Sequence, residues 1–330
     1  MNRNTSIIWR KYLHIREVNV LLALILMIVI MSAASPYFLT QDNVFNVLRG
    51  MSTIGIMAIG QTMVIITGGI DLSVGSLMAA SSMLTARMIT VYGGNAFIAV
   101  ICGLAFGLLM GSVSGIIITR FRINPFITTL GMLSIGRGLT YLLATGVKGS
   151  VASNIPMQNE SIIFLGNGYL GPVPFPVIIL LVLVVLATLF LNRTVPGRYI
   201  YAVGSNERSA KLSGVPVNRI RVFVYAISGL FCALAGIILT GRLSTAATNI
   251  GVGNELDVIA AVVIGGASLQ GGEGTVTGAI IGATIMAIVR NAFVLLHIPN
   301  HFQTITIGVV IVLAVGLDQL LKGKLKKSNI

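Results

Sequence analysis

Charged residues are scarce in this sequence of 330 residues. Asp, Glu, Lys and Arg together make up 9% of the chain, whereas a soluble globular protein has about 25%. Hydrophobic residues make up 55%, and most of them fall in long apolar runs separated by short polar gaps. This composition excludes a water-soluble globule and predicts a polytopic membrane protein.

The sequence also lacks the motifs of common enzymes. Its one Gly-Lys pair, Gly323-Lys324, has no upstream glycine at the spacing of a phosphate-binding loop, so we do not expect this chain to hydrolyse ATP. The three histidines form no HExxH motif, and no serine lies in a Gly-x-Ser-x-Gly turn. We therefore expect a non-catalytic chain with no cofactor and no metal of its own.

Cysteine and acidic residues are rare as well. The two cysteines, Cys102 and Cys232, lie inside apolar stretches, which argues against a disulfide framework and favours simple packing. The nine acidic residues lie at or near the ends of the predicted spans. Because a proton-driven carrier usually has carboxylates within the membrane, this pattern disfavours secondary transport.

Ten apolar segments are candidates for helices that cross a bilayer, which takes about 20 residues. They lie at about 18–35, 51–67, 72–91, 96–119, 125–145, 174–191, 222–241, 256–269, 275–297 and 302–321. The eighth segment is short and rich in glycine, so it is the doubtful one.

The net charge of +13 would indicate nucleic acid or acidic ligands in a soluble protein, but in a membrane protein it usually marks cytoplasmic loops. We expect no nucleic acid partner. With ten spans and both termini inside, sixteen of the 22 basic residues lie inside, whereas Arg49, Lys148 and Arg242 lie outside. An odd number of crossings after residue 221 would move the basic C-terminal tail outside, so the charges favour an even number.

Three further arginines lie within predicted spans, where a charge is costly and marks a functional candidate. Arg87 and Arg290 lie near outer ends, where their side chains can reach the surface. Arg137 is nearest the middle of its span, and no carboxylate shares that span. We expect its partner to be backbone carbonyls or another helix, with either a structural or a pore-lining role.

Two connections exceed the length of a turn: the polar segment 146–173, placed outside, and the basic segment 192–221, placed inside. Within the inner one, residues 207–212 are predicted to form a short helix. Ser205 or Asn206 can cap its start, and the glycine at position 214 can end it. Such a helix either anchors to anionic lipid headgroups or docks a cytoplasmic partner.

Glycines recur at every fourth residue in two spans. Membrane helices approach closely only where side chains are small, so this spacing predicts packing seams, either within one chain or between two copies. The glycines are Gly103, Gly107, Gly111 and Gly115 in the fourth span, and Gly274, Gly278 and Gly282 at the start of the ninth.

Two apolar runs are interrupted by glycine pairs, Gly68-Gly69 and Gly265-Gly266. Interruptions of this kind point to substrate-lining or moving parts of a transporter, because irregular backbone at depth needs protein or water beside it. They are equally consistent with tight cytoplasmic turns. In that case Asp71 or Ser73 would cap one following helix and Thr275 the other.

Four motifs follow one another along nearly the whole chain. They are Gly68-Gly-Ile-Asp-Leu-Ser-Val-Gly-Ser76, Pro125-Phe-Ile-Thr-Thr-Leu-Gly131 with Arg137-Gly138, Gly197-Arg-Tyr-Ile-Tyr-Ala-Val-Gly-Ser-Asn206 with Leu212-Ser-Gly214, and Glu255-Leu-Asp-Val-Ile-Ala-Ala-Val-Val-Ile-Gly-Gly266. Together they closely resemble the permease subunits of bacterial sugar ABC importers. The likeness is strongest to permeases for ribose. Related permeases carry xylose, arabinose, galactosides, allose or the autoinducer-2 signal.

The resemblance implies one transmembrane domain over residues 1–330, all-α, with about ten helices and a fold similar to that of vitamin B12-type importers. It implies a multi-pass chain in the bacterial inner membrane with both termini cytoplasmic, paired with a second permease copy, most simply as a homodimer. A periplasmic sugar-binding protein and a separate cytoplasmic ATP-binding subunit are the other implied partners. ATP and Mg²⁺ would bind to that subunit, and none to this chain.

By position, the segment 192–221 is similar to the cytoplasmic coupling loop of these permeases. The resemblance therefore implies contact with the ATPase, or a loop-shaping role, for Gly197, Arg198, Gly204, Asn206, Glu207, Leu212, Ser213 and Gly214. The candidate translocation and hinge residues are Gly68, Gly69, Asp71, Ser73, Asn124, Thr128, Arg137, Gly265 and Gly266. We expect closure of the ATPase to move the loop helix and tilt the spans, so that sugar crosses at the interface of two copies.

Two other functional classes stay open from the sequence. A facilitator or secondary carrier would transport without nucleotide, whereas a membrane receptor or scaffold would bind partners and transport nothing. Ribose is the favoured substrate, but the motifs do not separate it from the other substrates of related permeases.

Overall fold

The computed structural model of the protein describes residues 3–145 and 154–327. The helices are α1 (Arg3–Ala34), α2 (Gln41–Ile66), α3 (Val74–Thr90), α4 (Ala96–Arg120), α5 (Pro125–Ala144), α6 (Glu160–Asn167), α7 (Phe175–Arg193), α8 (Val195–Ser205), α9 (Glu207–Leu212), α10 (Val217–Leu243), α11 (Asn254–Ile264), α12 (Val276–Leu295) and α13 (Asn300–Lys327). The strands are β1 (Asn154–Pro156), β2 (Tyr169–Leu170), β3 (Val173–Pro174) and β4 (Thr245–Ala247). β1 pairs with β4 and β2 with β3, both antiparallel. Because each strand has only two or three residues, the all-α prediction is confirmed.

Each of the ten predicted spans coincides with a helix. Seven helices in the described part of the chain are long and apolar enough to cross a membrane on their own: α1 from Glu17 onward, α2, α4, α5, α7, α10 and α12. The predicted start of the second span at residue 51 is wrong, since α2 begins at Gln41. Arg49, expected outside the membrane, therefore lies within α2 and is 9% exposed.

The doubtful eighth segment contains α11, which has only 11 residues. At 1.5 Å per residue this helix covers about 16 Å, roughly half of the hydrocarbon core. The residues between α10 and α11 complete the crossing of the bundle. Arg242 donates to the carbonyl of Asn46 at one end of α2, and the amide of Gly272 donates to the carbonyl of Ile66 at the other end. The segment between them runs the length of α2, which agrees with an even number of crossings after residue 221.

The bundle thus has two distinguishable ends. We call the end that holds α8, α9, Ile66 and Gly272 the loop end. The opposite end, where β1 pairs with β4, is the strand end. The predicted outer connection 146–173 lies at the strand end in its described part, where it forms the unpredicted helix α6. Lys148 lies outside the described residues.

α10 is the central helix of the bundle and contacts α2, α3, α4 and α6. Its contacts with α4 follow the glycine spacing: a β-carbon on Gly107 would overlap the carbonyl of Gly229, and one on Gly111 would overlap that of Tyr225. In the ninth span, now α12, the seam packs against α11 in the same way, with Gly282 beside the carbonyl of Ala261. Both predicted seams are confirmed, and both pack within one chain.

The α4–α10 seam generates a stability prediction. Gly107→Ala should destabilise the protein by about 1–3 kcal/mol, because the new methyl group requires the two backbones to separate. The thermal unfolding midpoint of the purified chain in one detergent measures this change. Gly138→Ala is the matched control, since nothing lies within 4 Å of a β-carbon there. Equal midpoints for the two variants would contradict the close packing.

Candidate functional site

The segment 192–221 carries the predicted short helix. α9 spans residues 207–212, as expected, and the Oδ1 atom of Asn206 accepts a hydrogen bond from the amide of Ser209 at 2.9 Å. Gly214, just past the helix, has a φ of +80°, a conformation that glycine adopts without strain. The predicted cap and stop signals are therefore confirmed, with Asn206 as the cap.

α8, which precedes α9, is unpredicted, although its start carries a recognisable signal. Thr194 is followed by proline in the first turn, and its Oγ1 atom accepts a hydrogen bond from the amide of Gly197 at 3.1 Å. A Thr cap followed by Pro is a common helix start. Gly197 is buried against the end of α7, where a β-carbon would overlap the carbonyl of Phe190.

Most residues assigned to the coupling loop lie on the surface of the protein. Leu212 is 83% exposed, and Ala210 is the only residue of α9 that is buried. Gly204 is half-buried and, like Gly197, supports a loop-shaping role. The exposed residues are Arg198, Asn206, Glu207, Leu212, Ser213 and Gly214.

The end of α8 contacts the end of α2, just before the first glycine pair, and the segment that follows the second glycine pair. The amide of Gly272 donates to the carbonyl of Ile66 at 2.8 Å, and a β-carbon on Gly204 would lie too close to both groups. Tyr201 donates its hydroxyl to the carbonyl of Gly274 at 2.8 Å. Burial raises the pKa of Tyr201 to about 12, so this donor keeps its proton at neutral pH. α8 and the two interruptions therefore form one contiguous contact at the loop end.

The first interruption turns at the loop end and then enters the bundle. Gly68 has a φ of +78°. Gly69 lies against α10, where a β-carbon would overlap the hydroxyl of Tyr225. The carbonyl of Ile70 accepts a hydrogen bond from Thr129 of α5 at 3.1 Å. The segment is therefore both a turn and a break that reaches into the protein interior.

Asp71 is fully buried beside the start of α3. Its Oδ1 atom accepts hydrogen bonds from the amide and the hydroxyl of Ser73 at 2.9 and 2.6 Å. Its Oδ2 atom accepts one from the hydroxyl of Ser228, near the middle of α10, at 2.9 Å. Ser73 precedes α3 but makes no side-chain capping bond, so of the two predicted caps it is Asp71 that satisfies a backbone amide there.

The second interruption follows α11. Gly266 has a φ of +94°, and Gly265 packs against α12, where a β-carbon would overlap the carbonyl of Gly278. Thr275 caps α12 as predicted, since its Oγ1 atom accepts from the amide of Gly278 at 3.0 Å. The Thr275 hydroxyl in turn donates to Glu17 of α1 at 2.6 Å.

Arg137 finds the kind of partner that was predicted for it. Its Nη1 atom donates to the carbonyls of Thr248 and Ile250 at 3.1 and 2.7 Å. Both carbonyls belong to the irregular, turn-rich segment that leads into α11, so Arg137 holds that segment against α5. This contact favours the structural role over the pore-lining one.

Arg290 lies near the strand end of α12, and its side chain is 36% exposed, which agrees with the expected outer position. Its guanidinium forms an ion pair with Asp257 of α11 and donates to the Oδ1 atom of Asn254 at 3.2 Å. These contacts, which were not predicted, form because the first turn of α11 faces α12. Arg87 also lies at the strand end and donates to the carbonyls of Leu143 and Thr145.

Two carboxylates, those of Asp71 and Asp257, are fully buried. Both lie at span ends in the sequence, but both face the protein interior because α3 and α11 start within the bundle. The inference that the interior lacks carboxylates, used above against secondary transport, is therefore wrong. An acid just ahead of a short apolar run, as in Glu255-Leu-Asp257, was the available signal for the second carboxylate.

Asn124 and Thr128 lie at the start of α5. The Oδ1 atom of Asn124 accepts from the amide of Phe126 at 2.9 Å, which makes Asn124 the cap of this helix. Thr128 is buried, and its hydroxyl has no hydrogen-bond partner among the residues that the structure describes. The structure thus assigns Asn124 a structural contact and leaves Thr128 unexplained.

Long apolar helices, interrupted spans with a polar interior, and an exposed helical loop against both interruptions together define a multi-pass membrane protein. Residues 43–315 match the family model described as the branched-chain amino acid transport system permease component. The chain belongs to this family. A solved metal-chelate type ABC transporter in an inward-facing conformation shares the fold, with a TM-score of 0.53 and 16% identity, covering 90% of this chain and 98% of that one. The predicted ABC permease fold is confirmed.

Curated relatives share more of the sequence. The ribose import permease protein RbsC of Escherichia coli (strain K12) is 43% identical over 298 residues, which is 90% of this chain and 92% of the relative. RbsC of Bacillus subtilis is 40% identical, covering 90% and 91%. The fructose import permease protein FrcC of Rhizobium meliloti is 37% identical, covering 86% and 80%.

The ion pair between α11 and α12 generates a second prediction. Asp257→Asn should lower the free energy of unfolding by about 2–3 kcal/mol, since it leaves a partly buried cation without its counter-charge. Adding Arg290→Gln should restore part of that loss. Chemical unfolding in detergent measures both variants, and Glu160→Gln, which changes an exposed acid, is the control. If Asp257→Asn were as stable as the control, the pair would not contribute to stability.

Proposed function

We propose that this chain is the permease subunit of an ATP-driven importer for a monosaccharide, with ribose as the first candidate. Relatives named for ribose import reach 43% identity over 90% of the chain, and a relative named for fructose import reaches 37%. The proposal places the chain in the bacterial inner membrane with both termini cytoplasmic, next to a second copy of itself. A periplasmic binding protein delivers the sugar.

The observation that carries the proposal is the contact of α8 with both interrupted spans. A separate ATP-binding subunit, which holds ATP and Mg²⁺, docks on the exposed residues of α9 and its flanks. Its closure displaces α8, and the displacement passes directly to Ile66 at the end of α2 and to Gly272 and Gly274 ahead of α12. The movement passes directly from α8 to these residues, because α8 contacts them through hydrogen bonds and close backbone packing.

The glycine pairs are the proposed hinges. Gly68 and Gly266 both have positive φ values, and each lies close to the loop end, between α2 and α3 and between α11 and α12 respectively. A change of φ and ψ at these residues meets no β-carbon. Tilting of the flanking helices then opens the passage to alternate sides, with Asp71 and Arg137 as fixed polar anchors.

Transport assays test the proposal directly. In proteoliposomes that contain the permease and its ATP-binding subunit, with the sugar-binding protein supplied, uptake of labelled ribose should require ATP. Excess unlabelled fructose or xylose should compete weakly if ribose is the substrate. Nucleotide-independent uptake in vesicles without the ATP-binding subunit would instead establish a secondary carrier, for which the two buried carboxylates are candidates.

Leu212 provides a test of the docking surface. Leu212→Ser should reduce ATP-driven uptake about tenfold or more, because burial of a leucine at an interface is worth about 1.5–3 kcal/mol. The purified variant should unfold at the same temperature as the parent, since this side chain is exposed. Leu243→Ser is the matched control: Leu243 is 53% exposed but lies at the strand end. Equal transport by both variants would exclude α9 as a docking site.

A further inference from the structure

A cavity of about 990 Å³ lies at the loop end and reaches Gly68 of the first interruption. It is bounded by the end of α4, the turn before α5, one side of α9 and the first turns of α10. Its charged and amide-bearing lining residues are Arg120, Arg122, Asn124, Glu207, Lys211, Asn218 and Arg221.

The cavity carries an excess of positive charge. Arg221 binds Glu207 through two hydrogen bonds, of 3.2 and 2.6 Å, so these two side chains neutralise each other. Arg120, Arg122 and Lys211 form no ion pair with a carboxylate in the described part of the chain. Three exposed cations without a carboxylate partner, from α4, the α4–α5 turn and α9, therefore line one space, and the positive potential that they share attracts an anion.

The backbone at Arg122 adds an independent observation. Arg122 has a φ of +56°, in the left-handed region that a residue with a β-carbon adopts at a cost. The turn is short, because α4 ends at Arg120 and Asn124 already caps α5. A glycine would adopt this conformation without strain, and the residue present instead is an arginine that lines the cavity.

We infer that this cavity binds a phosphate group. A phosphate has up to two negative charges and several acceptor oxygens, and arginine donors match it in pairs. A neutral sugar would not offset the cations. The phosphate can belong to the headgroup of an anionic phospholipid, for which basic pockets at helix ends are suited, or to a free cytoplasmic phosphate ester. A bound phosphate would join the α4–α5 turn to α9 and so restrain the loop, whether or not an ATPase docks there.

Two arms of one experiment distinguish a lipid headgroup from a free phosphate as the source of the bound phosphate group. In the first, the full chain is placed in nanodiscs of neutral phosphatidylcholine, and inorganic phosphate is titrated against sodium chloride of equal ionic strength. In the second, nanodiscs with and without phosphatidylglycerol are compared in the absence of free phosphate. The thermal unfolding midpoint is the readout in both arms. A rise in the first arm assigns the site to free phosphate, and a rise in the second arm alone assigns it to lipid.

Variants locate the effect in the cavity. Arg122→Gln and, separately, Arg120→Gln should raise the ligand concentration that gives half of the stabilisation about tenfold, the loss expected for one charge-assisted contact. Arg122→Lys keeps the charge and should restore part of the binding. Arg208→Gln and Arg219→Gln are the controls, because both residues are exposed at the same end but do not line the cavity.

Three results would overturn the inference. One is the absence of stabilisation in both arms. Another is equal stabilisation by chloride, which would indicate screening of surface charge. The third is an equal loss in the Arg208→Gln control, which would indicate general attraction to a basic surface. Because none of these readouts depends on transport or on nucleotide, the inference and the proposed transport function can fail independently.

Discussion

Close packing of backbone against α10 is the constraint on which the rest of the structure depends. In a bilayer, lipid tails are as apolar as leucine, so helices associate through packing and polar contacts rather than through the hydrophobic effect. α10 meets α4 at Gly107 and Gly111, α3 at Gly236 and α2 at Gly60, and at each site a β-carbon would lie too close to neighbouring backbone. Small residues on several sides of one helix therefore fix the positions of its neighbours.

This packing brings polar groups together in the interior. Ser228 of α10 lies against Gly60 of α2, and it donates to the buried carboxylate of Asp71. Arg137 holds the irregular segment that leads into α11, and Arg290 pairs with Asp257 in the first turn of that helix. Irregular backbone at depth requires such partners. The two interrupted spans are thus held by side chains at their deep ends, which lie inside the bundle, and by glycine packing at the loop end.

Several of these features could be predicted from local sequence. The span positions follow from apolar runs, the start of α9 from Asn206, the cap of α12 from Thr275, and both seams from glycine spacing. Each depends on residues that are close in the chain. The kind of partner that Arg137 would find was also predictable, because a charge without a nearby carboxylate must find carbonyls or another helix.

Other features depend on contacts distant in sequence. The ion pair of Arg290 could not be predicted, because no local signal places the first turn of α11, and with it Asp257, beside α12. Asp71 lies at a span end by position, but Ser228 lies 157 residues away, and no local signal links them. The contact of Gly204 with Ile66 and Gly272 could not be predicted from local sequence either, since it depends on the positions of three segments that are distant in the chain.

The loop end differs from the deep ends of the interrupted spans in how it can respond to force. Contacts there are made largely by glycine and by backbone hydrogen bonds, whereas the deep ends are fixed by Asp71, Arg137 and the ion pair of Asp257. Backbone without side chains can shift with little steric cost, while a buried charge that loses its partner is strongly penalised. A displacement of α8 should therefore be absorbed at the glycines and turn the helices about their polar anchors. This division explains why glycine pairs and buried charges occur together in the same two segments.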